Sequence, residues 1–345
     1  MRTLVISDLH LGSRLRHDVL RLPAPRERLL SALDGIDRLV LLGDTVELLT
    51  RHPERSMHAA EPIIRALGQR MGADREVIVV PGNHDRSLVR AWVRAQGSRL
   101  VLPDAIVDPD ATPALSRLLS WLAPARTQAR YPGLWLDDRI WATHGHYLDT
   151  HLIPESSIGM LRGRSRRNAP VACVPVQRYE TRRRRGRAAG DSLGARLLAR
   201  PVGTTLETIA ELVRAPLPHL PGLLMKARLT SVTATLLDVQ MRHAAVPAIV
   251  RVANRLGIEA DWIVFGHVHR RGPLAGEEWA AQAGGVRVAN PGSWLYEPLL
   301  LDRATPPHPY WPGGAVVIEP GREPRTVGLL DDFGSAALRT ETAKR

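Results

Sequence analysis

Five apolar, strand-like runs in this chain each stop at a histidine, aspartate or asparagine, and that coincidence restricts the fold more than any other feature. Leu4-Val5-Ile6 leads to Asp8-Leu9-His10, and Leu39-Val40-Leu41-Leu42 to Gly43-Asp44. Val77-Ile78-Val79-Val80-Pro81 leads to Gly82-Asn83-His84-Asp85, Trp141-Ala142 to His144-Gly145-His146, and Trp262-Ile263-Val264-Phe265 to Gly266-His267-Val268-His269. Between the first three runs lie amphipathic stretches, Arg26 to Leu33 and Pro62 to Met71, with apolar residues at helical spacing. Alternation of this kind predicts an α/β domain with parallel strands and ligands at their carboxyl ends, where open sheets keep their sites. Further strands are expected near residues 134–144, 286–289 and 315–318, and a helix over Pro109 to Arg130.

The residue types at those strand ends point to a metal. Carboxylates, imidazoles and one amide oxygen without any thiolate suit a hard or borderline divalent ion such as Mn, Fe or Zn rather than a structural zinc clip. The lone Cys173 cannot build a cysteine site. Asp8, His10, Asp44, Asn83, His144, His267 and His269 are more ligands than one tetrahedral ion takes, so two ions sharing a ligand is the economical reading. Single histidines in a chain with thirteen are mostly surface or core residues, and GD or HG alone is common turn punctuation. The metal reading therefore rests on the five motifs together.

Their order, D-x-H, G-D, G-N-H-D, G-H and G-H-x-H, resembles that of the calcineurin-like metallophosphoesterase family. The resemblance implies a four-layer sandwich, two packed mixed β-sheets flanked by helices, here with a helical insertion. It also implies that Asp44 bridges the ions, with Asp8, His10 and His269 completing one shell and Asn83, His144 and His267 the other. His144-Gly145-His146 offers two imidazoles; His144, directly after the strand, is the expected ligand, and His146 and Arg86 are candidate substrate contacts. Two divalent ions, Mn first with Fe, Zn or Co as others, about 3.5–4 Å apart, would hold attacking and leaving oxygens and lower the pKa of water toward about 7. His84, not needed as a ligand, is expected to face the phosphoryl group as a catalytic residue, with Asp85 fixing its tautomer. Asn290-Pro291-Gly292-Ser293 reads as a strand-ending turn and resembles the family's Asn-x-Gly-Ser segment.

Residues 1–345 are read as a single domain of this type, interrupted at 148–258 by an Arg-rich, mostly helical cap. One cysteine fits a reducing compartment. The first residues run straight into a catalytic strand, and no apolar stretch of about 18 residues is present, so a cytoplasmic protein, at most peripheral at a membrane, is expected. The net charge of +12 is local: between Met160 and Arg200 twelve arginines face only Glu180 and Asp191. Such a run binds nucleic acid, anionic headgroups or a polyanionic substrate, or is simply a solvated loop in a chain whose only lysines are Lys226 and Lys344. Beyond it come Thr204 to Val213, a proline-punctuated apolar loop from Ala215 to Leu224, and a helical pattern from Lys226 to Arg255. The loop either meets acyl chains of an amphiphilic substrate or forms the cap's own small core.

The leading function is hydrolysis of a phosphodiester, phosphomonoester or pyrophosphate, on a lipid-linked or nucleotide substrate. The opening Ile6 to Gly12 and the helical insertion resemble the branch that cleaves UDP-diacylglucosamine pyrophosphate bonds, although that branch carries Arg where this chain has His84. A nuclease using the Arg-rich cap is the second reading; Tyr179 is the only aromatic residue inside the cluster, which is thin support for base stacking. A metal-binding scaffold without turnover would show gaps among the ligands, and none is missing.

Overall fold

The computed structural model describes residues 1–151, 174–181, 245–277, 285–301 and 304–339. Most of the Arg-rich cluster, Thr204 to Val213 and the 215–224 loop lie outside them. In chain order the elements are β1 (Thr3–Ile6), α1 (Pro23–Ala32), β2 (Arg38–Leu41), α2 (Pro53–Met71), β3 (Glu76–Val79), α3 (Arg90–Gln96), β4 (Ala105–Val107), α4 (Pro113–Trp121) and β5 (Arg126–Tyr131). They continue with β6 (Gly133–Asp137), β7 (Ile140–Thr143), α5 (Val246–Leu256), β8 (Trp262–Phe265), β9 (Arg287–Ala289), α6 (Pro298–Leu301), β10 (Gly314–Ile318), β11 (Arg325–Gly328) and α7 (Ser335–Leu338).

Two mixed sheets result, a seven-stranded one in the order β11-β10-β1-β2-β3-β5-β4 and a four-stranded one in the order β6-β7-β8-β9. β1, β2, β3 and β5 run parallel, and so do β7, β8 and β9, so the motif-bearing ends of each sheet point the same way.

Strand alternation explains why the sheets pack face to face. Val5, Val40, Ile78 and Val316 lie side by side in register on one face of the large sheet, and Ala142, Val264 and Ala289 do so in the small sheet. These residues form one buried cluster between the sheets, while Leu4, Leu39, Val77, Trp141 and Ile263 point outward into the helical layers. A one-residue slip of any strand would exchange the two sets, so register is fixed on both faces. α2 shows the outer packing: Met57, Ala60, Ile64, Leu67 and Met71 recur every three to four residues and are buried.

Two expectations need correction. The run 134–144 is a hairpin, β6 and β7, which turns at Asp138-Arg139. Pro109 to Arg130 is not one helix: Thr112 caps α4 by accepting the Leu115 N–H at 3.1 Å, and the chain leaves helix before Pro124 to become β5. In the interval 148–258 the described residues are helical at 149–151, at 176–181 and in α5, whose buried Val246, Ile249, Val250 and Val252 join the main core.

Candidate metal centre

The parallel pairing of β1 and β2 continues past the strands themselves. Asp8 N–H donates to Gly43 O at 3.1 Å, His10 N–H to Asp44 O at 2.8 Å and Leu11 N–H to Thr45 O at 3.0 Å. The D-x-H and G-D segments are thereby locked side by side. Trp294 N–H binds Asp8 O, and the Asn290 side chain donates to Gly266 O at 3.0 Å while accepting the Gly292 N–H, so the turn after β9 braces both the first and the fifth motif. Two glycines let these segments touch. A Cβ on Gly82 would sit 2.3 Å from Asp44 Oδ1, and one on Gly266 would sit 2.0 Å from Ser7 Oγ.

Asp8, His10, Asp44, His84, Asp85, His144, His146, His267 and His269 are all buried, and Asn83 is half-buried. Ligand atoms of Asp8, His10 and His269 lie within 4.8 Å of one another, as do those of Asp44, His144 and His267, and those of His10, Asp44 and His84. Asp44 stands between the groups: its Oδ2 is 3.8 Å from His10 Nε2 and 3.2 Å from His144 Nε2. Asn83 Oδ1 is 3.1 Å from His144 Nε2.

Each ring is turned by what holds its other side. His144 Nδ1 lies 3.0 Å from Leu42 O, which leaves Nε2 toward Asp44 and Asn83. His10 Nδ1 faces Glu47 Oε2 at 3.1 Å, and its Nε2 meets His269 Nε2 at 3.3 Å. His267 Nε2 lies 2.9 Å from Asp149 Oδ1. His146 turns away, with Nε2 3.3 Å from the Tyr131 hydroxyl, so of the two imidazoles of the fourth motif only His144 joins the cluster.

The donor set fits divalent cations. Asp8 Oδ2 accepts the Ser7 hydroxyl and the His267 N–H, whereas its buried Oδ1 makes no regular hydrogen bond and faces His269 Nε2 at 3.2 Å. Two imidazole nitrogens 3.3 Å apart need a proton or a cation between them. Burial alone would raise the Asp8 carboxyl, yet the neighbouring His269 and His144 hold it down at about 2. Asp44 is likewise held well below the carboxylate range against its burial, by His144, His84 and His10. Burial would lower His144, but Asp44 pushes it up to about 9. All three directions describe a buried cluster that favours added positive charge.

Backbone strain collects at the same residues. Among the described residues six that are not glycine have left-handed backbones, and five are Asp8, His10, Asp44, His267 and His269, with φ between 45° and 72°. Such conformations cost about 1–3 kcal/mol each and persist where surrounding structure imposes them.

The expected partnership of His84 with Asp85 is not what the structure shows. Asp85 accepts the Gly82 N–H at 2.6 Å and the Thr45 N–H at 2.8 Å, and burial with the charge of Asp44 pushes its pKa up to about 6. It is a brace between the second and third motifs. The carboxylate on His84 is Glu47, at 2.7 Å from Nδ1, while the His84 N–H donates to Asp44 Oδ1. Arg86 pairs with Glu180, whose Oε1 also accepts the hydroxyls of Tyr131 and Tyr147 at 2.6 and 2.7 Å.

Glu47, Asp149 and Glu180 escape a motif-based reading. The trace they leave is an acid inside an apolar or aromatic run, as in Thr45-Val46-Glu47-Leu48-Leu49, Tyr147-Leu148-Asp149 and Val176-Gln177-Arg178-Tyr179-Glu180. A charged side chain in such a run is buried only with a partner.

Two packed mixed sheets that gather Asp, His and Asn at their strand ends define an α/β protein built to hold divalent cations. The chain belongs to the calcineurin-like phosphoesterase family, whose model matches residues 1–178. It is therefore a metal-dependent hydrolase of phosphate esters. No curated protein matches the chain by sequence. Among solved structures it is similar to a dimetal phosphatase from Danio rerio at 13% identity, over 95% of this chain and 99% of that one, with a TM-score of 0.34. It is also similar to a cold-active protein-tyrosine phosphatase of a psychrophilic Shewanella species at 14% identity, over 94% of this chain and 80% of that one, with a TM-score of 0.28. Likenesses that slight carry no argument about this chain's chemistry. Among the described residues no helix is long and apolar enough to cross a membrane.

Proposed function

We propose that the chain is a phosphodiesterase working with two divalent ions, Mn foremost. In this reading Asp8, His10 and His269 hold one ion, Asn83, His144 and His267 the other, and Asp44 both. The observation that carries it is Asp44 Oδ2, buried and placed between His10 Nε2 and His144 Nε2. Such ions, when bound, supply Lewis-acid charge to phosphoryl oxygens and lower the pKa of water toward about 7.

The chain's own groups supply the rest. His84 has its backbone N–H fixed by Asp44 and its Nδ1 by Glu47, and in this reading its ring donates a proton to the departing oxygen. An alkoxide leaving group, as in a diester, gains most from that proton. Arg86 is a substrate contact only if a phosphate takes the place of Glu180 on its guanidinium. His146, its ring 5.6 Å from that of His144 and its Nε2 3.3 Å from the Tyr131 hydroxyl, is the other candidate contact.

Residues 1–345 are taken as one catalytic domain with a cap at 148–258, anchored beside His144 and His267, in a cytoplasmic enzyme. The charge excess between Met160 and Arg200 supports a polyanionic partner, either nucleic acid or an anionic membrane surface. A nuclease would lose affinity steeply with added salt.

The test is hydrolysis of bis-p-nitrophenyl phosphate against p-nitrophenyl phosphate by metal-stripped protein. Mn, Fe, Zn or Mg is restored in turn, with Asp44→Asn alongside. Diester cleavage that needs metal and Asp44 is the expected result. Cleavage of the monoester alone would overturn the diester assignment, and cleavage of neither with two ions bound would point to a more demanding substrate such as a lipid pyrophosphate.

A further inference from the structure

Exposed apolar side chains are ordinary one at a time, so it is their clustering that carries information. Among the described residues five large ones are exposed, and three of them fall close together: Val101 at 55%, Leu102 at 61% and Ile106 at 58%. Val101 and Leu102 lie on the loop between α3 and β4, and Ile106 on β4, an edge strand of the large sheet. Leu100 and Val107 are buried, so the stretch is anchored at both ends while its three apolar tips face solvent.

Cations surround these tips. From Arg86 to Pro103 the chain carries four arginines and no carboxylate. Arg90 and Arg94, one turn apart on α3, are exposed, and so is Arg99, whose guanidinium reaches back over the helix end to Ala95 O at 3.2 Å. Arg130 stands opposite Ile106 in the pairing of β4 with β5, and directly opposed residues share a face. Its guanidinium holds the Gln128 side chain at 2.8 Å and Asp104 O at 2.9 Å, both uncharged acceptors. Among the described residues none of Arg90, Arg94, Arg99 and Arg130 forms an ion pair.

A nucleic-acid surface needs the arginines but has no use for the apolar tips. An anionic bilayer takes both: apolar side chains enter the acyl boundary, while arginine heads stay with the lipid phosphates and their stems lie along apolar surface. We infer that residues 90–106 form a docking surface for an anionic lipid bilayer. It lies on the catalytic body, directly beyond the third motif, and not in the Arg-rich interval at 160–200. Docking is independent of the hydrolysis proposed above, because a vesicle is bound without turnover.

The test is co-sedimentation of the full chain with phosphatidylcholine vesicles, prepared with and without phosphatidylglycerol. Wild type is expected to pellet with the anionic vesicles alone. Replacing Leu102→Ser and Ile106→Ser together should weaken that association about tenfold, and Arg94→Gln about fivefold, with bis-p-nitrophenyl phosphate turnover unchanged in both. Wild type that ignores anionic vesicles, or variants that bind them as wild type does, overturn the inference. Loss of oligonucleotide binding in Arg94→Gln, with no vesicle binding in wild type, also overturns it and makes the surface one for nucleic acid. A dimer in sedimentation velocity that Ile106→Ser dissociates, again without vesicle binding, makes it a contact between two copies through the β4 edge. If the double variant does not fold, Arg94→Gln, on an exposed helix face, decides alone. Vesicle binding that the variants weaken, in a protein that cleaves no diester, upholds the surface and removes only the proposed function.

Discussion

The two halves of the centre are anchored differently. Around Asp8, His10 and His269 the supports come from segments that directly follow β1, β2 and β9. Ser7 donates to Asp8, Glu47 faces His10, and Trp294 binds the Asp8 carbonyl. Around His144 and His267 one ring leans on the carbonyl of Leu42, and the other on Asp149, in the turn that opens the 148–258 interval. One half is thus held by segments at the strand ends, while the other depends partly on Asp149, at the start of the proposed cap. If that cap exists, metal affinity in the second half should follow whatever it does, and in the first half it should not.

Substitutions separate the halves. Asp44→Asn touches both and is expected to have the largest effect. Both ions weaken together and diester hydrolysis falls to the uncatalysed level, measured by metal content and bis-p-nitrophenyl phosphate turnover. Retention of one tight ion would show that Asp44 belongs to one half only. If His84 lies outside both metal shells, as proposed, His84→Ala should lower kcat about 10²- to 10⁴-fold with both ions still bound; loss of an ion would make His84 a ligand. Asp149→Asn should weaken one ion about 10- to 100-fold and spare the other, by calorimetric titration. Equal weakening of both would erase the distinction between the halves.

The smallest effect concerns pH. Glu47 has its carboxyl held at about 2 against an ordinary 4.5, so its stabilisation is complete above about 4.5 and is lost as pH falls toward about 2. Glu47→Gln lacks that term, and its urea midpoint should fall less steeply than wild type across this window. Parallel curves would mean that the imidazoles do not hold the carboxylate.

How much of this was legible depends on where the deciding contacts lie. β1, β2, β3 and β8 announce themselves because both their faces are buried, so each is a continuous apolar run ending in its ligands. β5 does not: Arg126, Thr127 and Gln128 begin it with exposed or half-buried polar residues beside the short edge strand β4, and nothing in that composition marks a strand. Ligand atoms of Asp8, His10 and His269, and of Asp44, His144 and His267, lie near one another, and Asn83 Oδ1 is 3.1 Å from His144 Nε2, so the spacing of the motifs carried information about proximity. The partners of the imidazoles were hidden for a different reason. Glu47 is near His84 only because β2 and β3 are neighbours, and a contact across 37 residues leaves no local pattern. Adjacency in sequence suggested Asp85, which the fold spends on the Gly82 and Thr45 amides.

The left-handed backbones of Asp8, His10, Asp44, His267 and His269 set this protein's evolutionary prospects. At each of the five positions glycine would relax the main chain, so selection for thermal robustness alone pulls against the centre. A lineage released from its chemistry should drift toward sturdier, inert descendants, with glycine where ligands once stood. Retention of all five side chains on unfavourable backbone is then a record of continued use.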